Sequence, residues 1–74
     1  MLSITDMKES AKKLGENMKR IRLEKDMSQG DICRKLEVDR AFISNIESGN
    51  TNPTLATITK IAGALDVSVD KLLK

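Results

Sequence analysis

Four side chains near the middle of the chain have the types and spacing that could recognise the edges of DNA base pairs. They are Arg40, Ala41, Ser44 and Asn45. A guanidinium can donate two hydrogen bonds to guanine, a carboxamide can pair with adenine, and a methyl group can contact the methyl of thymine. On a helical wheel Ala41, Ser44 and Asn45 share one side, opposite Ile43 and Ile46. Each residue alone is typical of an ordinary exposed position, so the interpretation depends on their joint placement.

The segment Ser28–Gly49 contains the signals for two short helices that would position these side chains. The Ser28 hydroxyl can accept a hydrogen bond from the opening turn of the first helix, which continues to Leu36. Asp39 is a candidate N-cap for the second helix, and Gly49 is placed to end it in the left-handed conformation. Two helices this close must cross steeply. This is the geometry of a helix-turn-helix, whose second helix can enter a major groove.

Further positions along the chain stand at a spacing that is typical of one family. They are Ser28–Gln29, Ile43–Ser44, Ile46–Glu47, Gly49, Asn52–Thr54, Ala64–Ser68 and Leu72–Leu73. In these positions the chain resembles the Cro/CI-type, or xenobiotic-response-element-like, family of bacterial and phage regulators. The run Asp39–Ser44 also resembles the recognition helix of restriction–modification controller proteins. The resemblance implies an all-α, compact, five-helix, lambda-repressor-like domain over residues 1–74, with helices 2 and 3 forming the helix-turn-helix. Residues 1–6 would be an N-terminal arm or the start of an extended helix 1.

The resemblance also implies roles for individual residues. The four side chains named first would contact base edges, and Gln29 would contact a phosphate at the start of helix 2. Asn52 and Thr54 lie around the start of helix 4, where unpaired N–H groups can bind an anion, and are implied phosphate ligands. Arg22 and Glu47 match a pair that joins helix 1 to helix 3. Such a pair is physically reasonable, because an inward-facing Glu47 would be costly to bury alone.

Two residues depart from the family pattern. Glu37 stands in the turn where many members have glycine, and a left-handed conformation there would cost about 1–2 kcal/mol. Gly30 stands where a helix-favouring acid is common, and glycine inside a helix loses roughly 1 kcal/mol relative to alanine. Close approach of a DNA backbone is an alternative reason for Gly30. We therefore expect helix 2 and its turn to be marginally stable.

Apolar periodicity predicts three more helices. The stripe Ile4–Ile21, with steps of three and four residues, predicts a long helix 1, and Asp6 with Glu9 would suit a capping-box-like start. Helix 4 is predicted over Leu55–Leu65, with Leu55 among its inward-facing residues. A short helix 5 is expected after Ser68.

The C-terminal end has an apolar density too high for a free tail. Its apolar residues are Val67, Val69, Leu72 and Leu73. Because family relatives often form a two-fold contact at this end, the resemblance implies a homodimer interface there, helped by the exposed side of helix 4. The alternative is that these residues only close the core of one chain. Dimerisation would help a domain this small, which buries only about 60% of its unfolded surface.

Composition narrows the classes of function. The 13 basic and 11 acidic residues give a net charge of only +2, so charge alone is a weak argument for nucleic acid. With no histidine and the single Cys33, neither a metal site nor a thiol–imidazole nucleophile is expected. We therefore expect no enzyme, no cofactor and no small-molecule ligand. The N-terminus lacks a signal-peptide pattern and no stretch could span a membrane, so a reducing cytoplasm is the expected location.

Two hypotheses follow. In the first, the chain is a sequence-specific, double-stranded-DNA-binding transcriptional regulator, such as a repressor, that acts as a homodimer. Its operator would then be a pseudo-palindrome with half-sites about 34 Å apart. In the alternative, the same fold is a protein-interaction module, antitoxin-like or anti-regulator, that holds a partner through helix 5. Single-stranded nucleic acid is a poorer fit, because Phe42 is the single aromatic available for stacking.

Overall fold

The computed structural model describes residues 4–74, with side chains described from residue 9 onward. The described chain forms five helices and contains no strand. They are α1 (Ile4–Glu24), α2 (Gln29–Leu36), α3 (Arg40–Glu47), α4 (Leu55–Leu65) and α5 (Val69–Leu73). The predicted all-α, five-helix architecture is confirmed.

The long helix α1 is part of a ring in which each helix packs mainly against two others. It packs against α3 on one side and against α5 on another, while α2 contacts α3 and α4, and α4 contacts α5. Ala11, Leu14, Met18 and Ile21 are buried, as their spacing predicted. The side chains of Ile4 and Met7 fall outside the described ones. The predicted capping-box start at Asp6 is wrong, because the backbone is already helical at Ile4.

Aliphatic and methionine side chains from all five helices build the core. The largest fully buried ones are Met18, Ile32, Ile43, Ile46, Ile61, Leu65 and Leu72. Cys33 is half-buried and packs against this cluster. One expected core residue is corrected: Leu55 is 67% exposed, because it occupies the first turn of α4, where the chain is still entering the helix from the surface.

The start of α2 is fixed by a reciprocal capping box. Ser28 Oγ accepts from the backbone N–H of Asp31 at 3.0 Å, and the Asp31 carboxylate accepts from the Ser28 N–H at 2.8 Å. The backbone N–H of Ser28, which donates to the Asp31 carboxylate, is the main cause of a lowered pKa of Asp31, and the Ser28 hydroxyl and Arg34 lower this pKa further. Asp39 is the N-cap residue of α3, as predicted, but its side chain makes no capping hydrogen bond.

Residues in the left-handed backbone conformation lie at the ends of several helices. Glu37 terminates α2 with φ 56°, and Gly49 follows α3 with φ 78°, so both sequence predictions are confirmed. Asp26 and Asp66 adopt the same conformation after α1 and α4, with φ 55° and 57°. Carboxylate-bearing residues thus occupy three positions where glycine would be unstrained.

Candidate nucleic-acid interface

Helix α3 presents a small polar surface to solvent. Arg40, Ala41, Ser44 and Asn45 are all exposed. We call these four residues the α3 outer surface. On the opposite side Ile43 and Ile46 have no exposed area. The structure therefore brings together the four side chains whose spacing suggested base recognition, on a helix anchored by its other face.

Phe42 lies beside the α3 outer surface and was given no role by the sequence. This residue, the single aromatic of the chain, is 39% exposed. The signal that could have drawn attention to it is its position between Ala41 and Ile43 in the first turn of α3. An exposed ring at that place can make apolar contact with a thymine methyl.

A buried ion pair holds α3 against α1. Arg22 Nε donates to Glu47 Oε2 at 2.7 Å, and Arg22 Nη2 donates to Glu47 Oε1 at 3.1 Å. The third guanidinium nitrogen, Nη1, donates to the carbonyl of Met27 at 2.8 Å. The two side chains are 9% and 4% exposed. This bidentate geometry fixes the orientation of α3 as well as its position, since a planar fork tolerates little rotation.

Gln29 extends this ion pair into a bridge between α2 and α3. Its Nε2 donates to Glu47 Oε1 at 3.1 Å, so one carboxylate accepts from α1 and from α2 at once. The sequence predicted a phosphate contact for Gln29 and missed this structural contact. Gln29 is also the first residue of α2, where its backbone N–H faces out of the helix and remains suited to an anion.

Gly15 sets how closely α1 and α3 approach. A Cβ atom at this position would lie 2.4 Å from the carbonyl oxygen of Ile46 and 2.6 Å from that of Glu47. This contact was not predicted from the sequence. Its signal was a glycine inside a long helix, where the residue is unfavourable by roughly 1 kcal/mol without a packing reason. The last turn of α3 therefore rests directly on the backbone of α1.

The start of α4 carries the other predicted phosphate ligands. Asn52 and Thr54 are both exposed. Thr54 is the N-cap of α4, and its Oγ1 accepts from the backbone N–H of Thr57 at 3.2 Å. Gly30, in the first turn of α2, is not crowded. A Cβ atom there would meet only Arg34 Nη1 and Ser28 Oγ, at 3.4 and 3.5 Å.

A family model described as helix-turn-helix matches residues 18–72. The chain belongs to this family. It is 33% identical over 61 residues to the control protein C.MunI of Mycoplasma sp., covering 81% of this chain and 82% of that protein. It is 32% identical over 60 residues to the immunity repressor of Bacillus phage phi105, covering 81% of this chain but only 42% of the repressor.

Solved structures of similar proteins share the fold. The chain superimposes with a TM-score of 0.74 on the restriction–modification controller protein C.Esp1396I, solved as a tetramer in complex with its natural 35-base-pair operator. The sequences are 35% identical, and the match covers 86% of this chain and 95% of that one. The resemblance to Cro/CI-type regulators is thus confirmed, and the controller proteins are among the relatives.

The cations of this helix-turn-helix protein differ in how they are engaged. Arg34 pairs with Asp31 on the exposed side of α2, and Lys35 Nζ donates to the carbonyl of Ala64 at 3.4 Å. Within residues 9–74, Arg40 forms no ion pair. Arg40 therefore offers an uncompensated positive charge at the edge of the α3 outer surface.

The predicted dimer residues do not form one surface. Leu72 has no exposed area, so its assignment to an interface is wrong: it fills the core of a single chain. Val67 and Val69 are half-buried and pack against the same core. Leu73 is 48% exposed, and it is the main residue of this set that a partner could cover.

No helix in the part of the chain that the structure describes is both long and apolar enough to cross a bilayer. Nor do those residues contain a cluster of side chains suited to hold a metal ion.

Proposed function

We propose that this protein is a sequence-specific regulator of transcription that binds double-stranded DNA through α3. The observation that carries the proposal is the α3 outer surface, four exposed polar or small side chains on a helix whose other face is locked in the core. The family membership supports it, as does the likeness to a controller protein solved on its operator. The proposed site of action is the cytoplasm, and the proposal involves no enzymatic activity, cofactor or small-molecule ligand.

Within this proposal each side chain has a role. Arg40 donates to guanine, Asn45 pairs with adenine, Ala41 contacts a thymine methyl and Ser44 hydrogen-bonds a base edge. Each good bidentate pair would contribute about 1–3 kcal/mol of discrimination. A second group positions the protein by contacting phosphates without reading sequence, and its members are Gln29, Asn52 and Thr54.

We propose that the protein acts as a homodimer on a pseudo-palindromic operator. Two copies of α3 related by a two-fold axis would enter successive major grooves about 34 Å apart. The exposed side of α5, with Leu73 and the partly exposed Val69, is the proposed contact. The alternative to DNA binding, a protein-interaction module that holds its partner through the apolar residues of α5, is not favoured, because Leu72 fills the core.

Selection of bound sequences from a random duplex pool tests the proposal. We expect enrichment of one sequence with two inverted half-sites. The affinity for random duplex should fall linearly with salt on logarithmic axes, because binding to phosphates releases counterions. A pool that stays random after several rounds, or binding that salt does not change, would contradict the proposed function.

A further inference from the structure

A groove of about 550 Å³ lies between α1 and the C-terminal end of the chain. Its wall on α1 is formed by Asn17, Arg20 and Ile21, and its other wall by Val67, Lys71 and Lys74. We call it the α1–α5 groove. Asn17 closes its floor, since Asn17 Nδ2 donates to the carbonyl of Leu72 at 2.8 Å while Arg20 Nη2 donates to Asn17 Oδ1 at 3.3 Å.

The α1–α5 groove is separate from the proposed DNA-binding surface. Arg22 faces α3, where it binds Glu47. Successive residues of a helix are turned by about 100°, so Arg20 lies about 160° around α1 from Arg22. DNA seated on α3 would therefore lie on the other side of α1. A function for the groove does not depend on the function proposed for α3.

Positive charge prevails in the α1–α5 groove. Its lining includes four cations, Arg20, Lys25, Lys71 and Lys74, against two carboxylates, Glu24 and Asp66. The Arg20–Glu24 contact is exposed at 3.4 Å, and the contact of Lys74 with Asp70 is 3.9 Å between side chains that are about four-fifths exposed. Exposed ion pairs of this kind contribute little to stability. Lys25 and Lys71 form no ion pair within residues 9–74.

Apolar surface accompanies this charge. The half-buried Val67 contributes to the lining, next to the aliphatic stems of the lysines. A phosphate backbone would gain nothing from these apolar groups. A polypeptide that carries both carboxylates and aliphatic side chains matches both features.

We propose that the α1–α5 groove binds an acidic, aliphatic peptide segment of a partner protein. A second copy of this chain is a poor occupant, because a two-fold contact would place the same excess of positive charge against itself. Dimerisation through α5 would leave the groove open. Lys71 lies about 160° around α5 from Leu73, so the two residues lie on opposite sides of the helix.

The test uses the full chain labelled with ¹⁵N and a capped probe hexapeptide, Glu-Leu-Glu-Glu-Leu-Glu. We expect saturable shifts of the Asn17 side-chain amide and of backbone amides along α5. The double variant Lys71→Glu/Lys74→Glu should weaken binding about five- to tenfold, since each exposed charge contact is modest. Lys60→Glu makes the same kind of charge change at an exposed site of α4 outside the groove, and should leave the affinity unchanged.

Three results would overturn the proposal. The first is the absence of localised shifts at millimolar peptide. The second is equal loss of affinity in the Lys60→Glu control and the groove variant, both verified as helical by circular dichroism. The third is that random duplex DNA shifts the same Asn17 and α5 signals, with the same dependence on Lys71 and Lys74. That last result would assign the groove to nucleic acid.

Discussion

Arg40 differs from Arg22 and Arg34 in its ion-pair contacts. Arg22 is committed to Glu47 and Arg34 to Asp31, whereas Arg40 has no ion-pair partner within residues 9–74. A free guanidinium in the first turn of α3 is the group best suited to discriminate a guanine. Its charge is available to DNA without the loss of an existing contact.

The substitution Arg40→Ala should therefore relax specificity at one base pair of each half-site. We expect a loss of about 1–3 kcal/mol against the preferred base, about five- to 150-fold in affinity, with a smaller loss on random duplex. Arg34→Ala is the matched control, because it removes an exposed arginine from α2. Equal weakening on specific and random DNA would instead identify Arg40 as a phosphate contact.

Asp31 makes the start of α2 sensitive to acid. Its carboxylate accepts from the Ser28 backbone, which lowers its pKa below the ordinary value of 3.8. A group with a depressed pKa in the folded state stabilises the fold above its unfolded pKa, and this contribution disappears as the pH falls through the folded pKa.

Asp31→Asn should accordingly be less stable than the unmodified protein at pH 6. The difference between the two free energies of unfolding should narrow below about pH 4 and vanish at lower pH. Urea titrations monitored by circular dichroism at several pH values measure this difference. A gap that stays constant down to pH 2 would show that ionisation of Asp31 does not contribute.

At the scale of elements, two helical glycines have opposite surroundings. Gly15 faces the backbone carbonyls of Ile46 and Glu47, whereas a Cβ at Gly63 would meet nothing within 4 Å. Gly15 is thus required by the contact of α1 with α3. Gly63 only weakens α4.

Alanine at these two positions should change stability in opposite directions. Gly63→Ala should gain about 0.5–1 kcal/mol from helix propensity. Gly15→Ala should lose about 1–3 kcal/mol, because the backbone of α3 must move to admit the methyl group. Urea unfolding gives both values. If Gly15→Ala is as stable as the parent, the close approach of α1 and α3 does not constrain the fold.

Local signals explain which elements could be predicted. The capping serine before α2, the positive φ of Glu37 and the span of α4 depend on residues next to one another in the sequence. The contact at Gly15, the Gln29–Glu47 hydrogen bond and the burial of Leu72 depend on how separate helices meet. Periodicity within one helix holds no information about those distances. The α3 outer surface lies within one helix and was predicted. Of the bridge that supports it, the Arg22–Glu47 pair was predicted and the Gln29–Glu47 hydrogen bond was not.

On the scale of the whole molecule, the proposed functional surfaces lie on different sides. The α3 outer surface is on one side of α1, the α1–α5 groove is on the other, and Leu73 lies on the far flank of α5. With 74 residues, the domain has little stability to spare. Association through α5 would add buried area without covering either of the other two surfaces.

Leu73→Glu should therefore disrupt the proposed homodimer while leaving the monomer folded. We expect dimer affinity to fall at least about tenfold, because an unpaired charge would be buried at the contact. Leu23→Glu is the control, since Leu23 is 55% exposed and lies on α1. Sedimentation at micromolar concentration compares the variants. A parent protein that sediments as a monomer would remove the basis of the dimer proposal.

The half-exposed ring of Phe42 also makes the protein convenient for optical spectroscopy. The chain contains no tryptophan and no tyrosine, so its own emission is negligible. Phe42→Trp would place the only indole of the molecule on α3, at a site already open enough to hold an aromatic ring. Every photon collected from such a variant would come from the proposed DNA-binding helix. Association with DNA could then be timed without attaching a dye.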